Sequence, residues 1–149
     1  RYHDEFSAII VPYKNGTEQI LGKMQTLLQR QLSSTGTLKL SGEDSIKQRE
    51  LMKELEVLAQ KTVDDINAME EFPDADLKTP ALEYVLGTTS TIAAIYRDIV
   101  IPMQHAIPPP DLHAIDSISD KYGDQLIDAN DAFAASQMEF LEKFGLLTD

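Results

Sequence analysis

Cysteine and tryptophan are both absent from the 149 residues of this chain. Without cysteine there are no disulfides, no zinc-thiolate or iron–sulfur sites and no covalently attached haem. Basic residues are also scarce, because 13 lysines and arginines face 25 acidic residues and leave a net charge of −12. That balance disfavours partners bound through phosphate groups, so we expect neither nucleic acid nor an anionic membrane surface as a partner.

Long apolar runs are missing as well. The best candidate, TIAAIYRDIVIPM at residues 91–103, carries two charges and falls short of the roughly 20 apolar residues that a membrane-spanning helix needs. We therefore expect no membrane insertion by this chain.

The length of the chain allows one substantial hydrophobic core and is short for two ordinary domains, which predicts a single domain over residues 1–149.

Helical periodicity is the dominant pattern, whereas strand signals are sparse. Apolar residues recur at helical spacing in four segments, and these predict helices at residues 4–32, 43–71, 80–106 and 111–144. Four long helices joined by short connections favour an all-α fold, an antiparallel up-down four-helix bundle.

Proline and glycine predict local details of these helices. Pro12 and Pro102 each remove a backbone donor, so we expect the first and third helices to be kinked near them. Asn15-Gly16 is a turn signal that predicts a break in the first helix. Thr79 followed by Pro80 resembles an N-cap and the first position of a helix.

The most conspicuous chemical pattern is a set of acidic residues on the fourth helix. Its members are Asp116, Asp120, Asp124, Asp128 and Asp131. At about 100° per residue these carboxylates spread over about 120° of the helix, and the apolar residues lie on the other side. A straight ridge cannot surround Ca²⁺, which needs about six to eight oxygen ligands. We predict a solvated acidic face, which is a candidate surface for a basic protein partner.

Arg97 raises a separate question, because it is the only basic residue between Lys78 and Lys121. A guanidinium on a largely apolar helix must reach water, pair with a carboxylate or bind an anionic ligand. Asp98 points about 100° away on an α-helix, so we expect a carboxylate from another helix and a structural role. The alternative is a ligand site formed by Arg97, Tyr96 and Tyr13, in a pocket opened by the kinked helices.

Signals for catalysis or metal binding are weak. His105 and His113 flank a triple proline, but neither follows a glutamate at the spacing of di-iron helical bundles. Serine nucleophile elbows and Gly-rich phosphate loops are also missing. We predict no catalytic residues, no metal and no cofactor, and a metal-dependent enzyme that uses His105 and His113 is a third alternative.

The leading functional hypothesis is a non-enzymatic helical bundle for protein interaction or structural support, acting through its acidic surface. The alternative is a bundle that binds a small anionic ligand near Arg97. The chain begins with Arg1 rather than methionine, as expected after removal of a secretory or lipoprotein leader, or for a boundary inside a larger protein. In length and acidity it is similar to small helical bundles that bacteria export and tether by a lipid, although no motif carries that likeness. These features favour an extracytoplasmic location, periplasmic or at the cell surface.

Overall fold

The computed structural model describes residues 2–33, 42–71, 76–102 and 112–144. These residues form four helices and no strand, which confirms the predicted all-α four-helix bundle. The helices are α1 (Tyr2–Ser33), α2 (Gly42–Ala68), α3 (Lys78–Ile95) and α4 (Leu112–Lys143), and a π-helical turn, Tyr96–Val100, continues α3. Within the described ranges, no helix has both the length and the apolar character needed to cross a bilayer.

Helix α2 ends three residues before its predicted end. The backbone N–H of Met69 donates to the carbonyl of Ile66 at 3.2 Å, a tight turn that closes the helix after Ala68. Lys78 then donates from Nζ to the carbonyl of Asn67 at 3.4 Å. A lysine at this end satisfies a carbonyl that has no partner within the helix.

The predicted N-cap of α3 is wrong. Leu77 rather than Thr79 occupies the N-cap position, and its side chain makes no capping hydrogen bond. Asp76 supplies the oxygen instead, since its Oδ1 accepts from the backbone N–H of Thr79 at 3.1 Å. Hydrogen bonds from the side chain and backbone of Thr79 lower the pKa of Asp76. Pro80 falls in the first turn, where its missing N–H has no intrahelical acceptor to lose.

The predicted break at Asn15-Gly16 is also wrong, because α1 runs without interruption from Tyr2 to Ser33. Gly16 lies against α2, and a Cβ placed on it would come within 2.5 Å of Leu58 Cδ2. The glycine therefore permits close helix packing rather than a turn. The bends at Pro12 and Pro102 and the up-down order of the helices stay predictions.

The core consists of two main clusters. The first joins α1, the second half of α2, the start of α3 and the second half of α4; its members include Phe6, Ile10, Tyr13, Ile66, Ala81, Tyr84, Val85, Phe133 and Phe140. The second joins later residues of α1 to the first half of α2 and the end of α3; it comprises Ile20, Met24, Leu27, Leu51, Met52, Leu55, Ile92 and Val100. Every helix thus buries an apolar stripe against its neighbours. Residues 103–106 of the third predicted helix lie outside the described residues.

Candidate functional site

Arg97 lies on the π-helical turn with its side chain 69% exposed, and its partner is the adjacent residue. Its Nε donates to Asp98 Oδ1 at 2.8 Å and its Nη2 donates to Oδ2 at 3.1 Å. The expectation of a carboxylate from another helix is therefore wrong. A π-helical turn fits more residues into each turn, so adjacent side chains diverge less than they do on an α-helix.

Asp98 is also bound by α4, because the hydroxyl of Tyr122 donates a short hydrogen bond to its Oδ2. The hydrogen bonds from Arg97 and then from Tyr122 lower the pKa of Asp98 to about 2. Asp98 in turn raises the pKa of both Arg97 and Tyr122. An anionic ligand would have to compete with this carboxylate for the guanidinium, and ligand binding by Arg97 stays a prediction.

The two tyrosines proposed beside Arg97 lie in different surroundings. Tyr96 is half-buried against the second core cluster. Tyr13 is fully buried, and its hydroxyl donates to the carbonyl of Val85 at 3.0 Å and lies 2.8 Å from Thr89 Oγ1. Burial raises the pKa of Tyr13 to about 12. Since Thr89 precedes Arg97 by about 12 Å of helix, Tyr13 links α1 to α3 and does not join Arg97 in one site.

The acidic residues of α4 are all exposed: Asp116, Asp120, Asp124, Asp128 and Asp131. We call these residues the acidic face. On the opposite side of the same helix, Tyr122 and Phe133 are buried at 8% and 6% exposure. The expected separation of charged and apolar sides is present, and use of the acidic face by a partner stays a prediction.

The histidines do not assemble a metal site in the part of the chain that the structure describes, where no three histidine or acidic residues lie close enough to hold an ion. His3 lies 4.0 Å from Asp4 and stacks on Phe140 with ring centroids 6.4 Å apart. His105 and the side chain of His113 lie outside the described residues, so their joint site stays a prediction.

An open groove between α1 and α4 was not predicted from the sequence. The backbones of these two helices scarcely approach one another. Three adjoining cavities of about 140, 330 and 340 Å³ follow the seam between them. We call this feature the α1–α4 groove, and α3 forms its floor through Tyr84, Thr88, Ile95 and Ile99.

Small residues on α4 help to keep the groove open. Ser119, Gly123, Asn130 and Ala134 line it, and a Cβ placed on Gly123 would meet nothing within 4 Å. Their helical spacing is the one sequence signal of such a seam. The signal is weak, because small residues at this spacing also occur where helices pack closely, as Gly16 does against α2.

The middle cavity combines apolar walls with polar groups. Leu21, Leu126 and Ile127 line it together with Lys14 and Glu18. Tyr84 also lines this cavity, and burial raises the pKa of its phenol, with a further contribution from the negative charge of Glu18. The cavity therefore offers contacts to an amphipathic partner rather than to a purely apolar one.

Thr88, on the groove floor, has a side-chain hydroxyl whose hydrogen bonding is incomplete. It is 5% exposed, and its Oγ1 is buried without a hydrogen-bond partner. A buried hydroxyl that lacks a partner costs about 1–3 kcal/mol. The hydroxyl of Thr88 therefore adds no hydrogen bond to the packing of the groove floor.

Replacing Thr88 with valine should raise the free energy of unfolding by about 1 kcal/mol, because valine keeps the shape and removes the unpaired hydroxyl. Urea denaturation followed by circular dichroism measures the change. Thr91→Val is the matched control, since Thr91 donates to the carbonyl of Gly87 at 2.8 Å and is less buried. A destabilised Thr88→Val protein would show that this hydroxyl has a stabilising partner.

A second large depression lies between α1 and α2. It measures about 590 Å³ and is lined by Leu27, Leu51 and charged residues of both signs: Lys23, Lys47, Glu50 and Glu54. Because its charges balance, this depression selects neither acidic nor basic partners.

Comparison with known proteins adds no assignment to these features. No protein-family model matches the chain, and no curated protein or solved structure is significantly similar to it.

Proposed function

We propose that this chain is a non-enzymatic interaction bundle that binds a basic protein partner through its acidic face. The observation that supports the proposal is the exposure of all five aspartates on one helix. Lys121 is the only basic residue between Asp116 and Asp131, and the whole chain carries a net charge of −12. A surface of one sign attracts partners of the opposite sign and speeds their encounter.

Such a surface should make association sensitive to salt. Exposed ion pairs contribute about 0–1 kcal/mol each, and they are screened over about 8 Å at physiological ionic strength. Several aspartates acting together still produce a measurable affinity. Their like-charge repulsion in the free helix is relieved when a basic partner binds.

Replacing Asp120, Asp124 and Asp128 together with asparagine should weaken binding of an oligolysine peptide by about tenfold at low ionic strength. Three exposed pairs of about 0.5 kcal/mol each account for that factor. Fluorescence anisotropy of the labelled peptide, measured across a salt series, gives the affinity and its salt dependence.

The control replaces Glu50, Glu54 and Glu56 of α2 with glutamine. These glutamates are exposed, and the control changes the net charge by the same amount as the aspartate variant. We expect a much smaller loss of affinity in the control. Equal losses in the two variants would mean that overall charge alone attracts the peptide, and would refute a role specific to the acidic face.

A further inference from the structure

We infer that the α1–α4 groove receives an amphipathic, lysine- or arginine-rich helix of the basic partner. This inference rests on the proposed function and specifies the secondary structure of the partner segment that binds. The groove supplies an apolar surface that the helix would bury. The acidic face beside the groove supplies negative charge that complements the lysines or arginines of the helix. Grooves of this kind bind helices through side chains that recur at every third and fourth position.

The length of the groove fits a helix of moderate size. The cavities extend from Ser7 to Leu28 on α1 and from Ser119 to Gln137 on α4. These ranges correspond to about 30 Å of helix, so a partner helix of about 20 residues would fill the seam. Apolar side chains at both edges are already exposed, since Val11 is 50% and Ile127 is 58% accessible.

Charge distinguishes the two edges of the groove. On α4, Ile127 has Asp124 three residues before it and Asp131 four residues after it, and residues at these spacings are surface neighbours. On α1, the charged residues that line the middle cavity are Lys14 and Glu18, which balance. A bound helix should therefore carry its basic side chains along the edge that faces α4.

The same asymmetry argues against a second copy of this chain as the occupant. A copy docked in the groove would bring another molecule of net charge −12 beside the acidic face. Like charges placed together at an interface oppose association. A basic partner helix meets no such opposition.

The inference is tested with two fluorescent peptides of about 20 residues that share one composition of leucine, alanine and lysine. In the first peptide the leucines form a helical stripe with lysines along its edge. In the second the order is scrambled, so the charge is kept and the stripe is lost. We expect the striped peptide to bind the protein at least about tenfold more tightly than the scrambled one.

The matching protein variants fill the groove or a control position. Gly123→Phe places a ring in the open space of the groove, and Gly87→Phe places the same ring on an exposed part of α3, where a Cβ would also meet nothing within 4 Å. We expect Gly123→Phe to weaken striped-peptide binding by about tenfold and Gly87→Phe to leave it unchanged. Ala134→Phe, at an exposed position of the groove, repeats the test if the first variant fails to fold.

The outcomes separate this inference from the proposed function. Equal binding of both peptides would overturn the inference that the α1–α4 groove binds a helix. Striped-peptide binding that survives the groove-filling variants would overturn it as well. In either result, a selective loss for the Asp120/Asp124/Asp128 variant would still support the acidic face. A stable dimer in sedimentation that Gly123→Phe dissociates would also overturn the inference, because the occupant would then be a second copy.

Discussion

Replacing Phe6 with alanine should lower the free energy of unfolding by about 3–5 kcal/mol. Phe6 is completely buried in the first core cluster, whose members come from all four helices, and its ring lies edge-on to Tyr2 with centroids 5.1 Å apart. Truncation removes the transfer free energy of the ring and leaves a cavity that its neighbours fill only partly. That loss is a large fraction of the 5–15 kcal/mol typical of a folded domain. Urea denaturation followed by circular dichroism measures it.

Val57→Ala is the control for this truncation. Val57 is 70% exposed on α2, so the change should alter stability by no more than about 0.5 kcal/mol. If Phe6→Ala does not fold at all, Phe6→Leu keeps the comparison measurable, because it removes less volume. A loss at Phe6 as small as the loss at Val57 would contradict the packing of the first core cluster.

Replacing Pro12 with alanine should have the opposite effect and raise the free energy of unfolding by about 2 kcal/mol. Pro12 is exposed inside the uninterrupted helix α1, and it has no N–H to donate to the carbonyl of Ala8. An interior proline costs a helix about 3 kcal/mol, and its stiffening of the unfolded chain offsets up to about 1 kcal/mol. Thermal and urea denaturation both report the gain.

Asn15→Ala is the matched control for Pro12→Ala, because Asn15 is an exposed residue less than one turn further along α1. It should gain only about 0.5 kcal/mol, the difference in helix propensity between the two residues. If Pro12→Ala were no more stable than the unaltered chain, the packing of α1 would depend on the local geometry that the proline imposes.

The fourth helix shows what the sequence predicts well. Its apolar stripe and its aspartates follow a regular helical period over many residues, and the structure places Phe133 inside and Asp120 outside. Over such a length, a single orientation of the helix about its axis buries the apolar residues and exposes the charged ones. The helix class and this orientation could therefore be predicted from the residues alone.

The errors occur where a local signal meets a competing interaction. Asn15-Gly16 is a turn signal in isolation, but in the structure Gly16 lies within a continuous α1 and against Leu58 of α2. Thr79 is a good N-cap by composition, yet the helix begins one residue before it, and Asp76 Oδ1 accepts a hydrogen bond from the backbone N–H of Thr79. Local preferences are small, and neighbouring contacts override them.

The candidate site was predictable only in part. The acidic face follows from spacing, whereas the pairing of Arg97 with Asp98 depends on a π-helical turn that the sequence did not indicate. The α1–α4 groove depends on the distance between two helices that are remote in sequence. That distance is set by the packing of every helix between them, and the small residues on α4 indicate it only weakly.

The hydroxyl of Tyr13 has a consequence for recognition. It connects α1 to α3 beneath the seam, with contacts of 3.0 Å to Val85 and 2.8 Å to Thr89. Hydrogen bonds weaken steeply when their geometry is displaced, so this anchor resists sliding of one helix along the other. Tyr13 thereby holds α1, one wall of the proposed binding groove, in a fixed position relative to α3, which forms the floor, so a bound helix would not have to displace that wall.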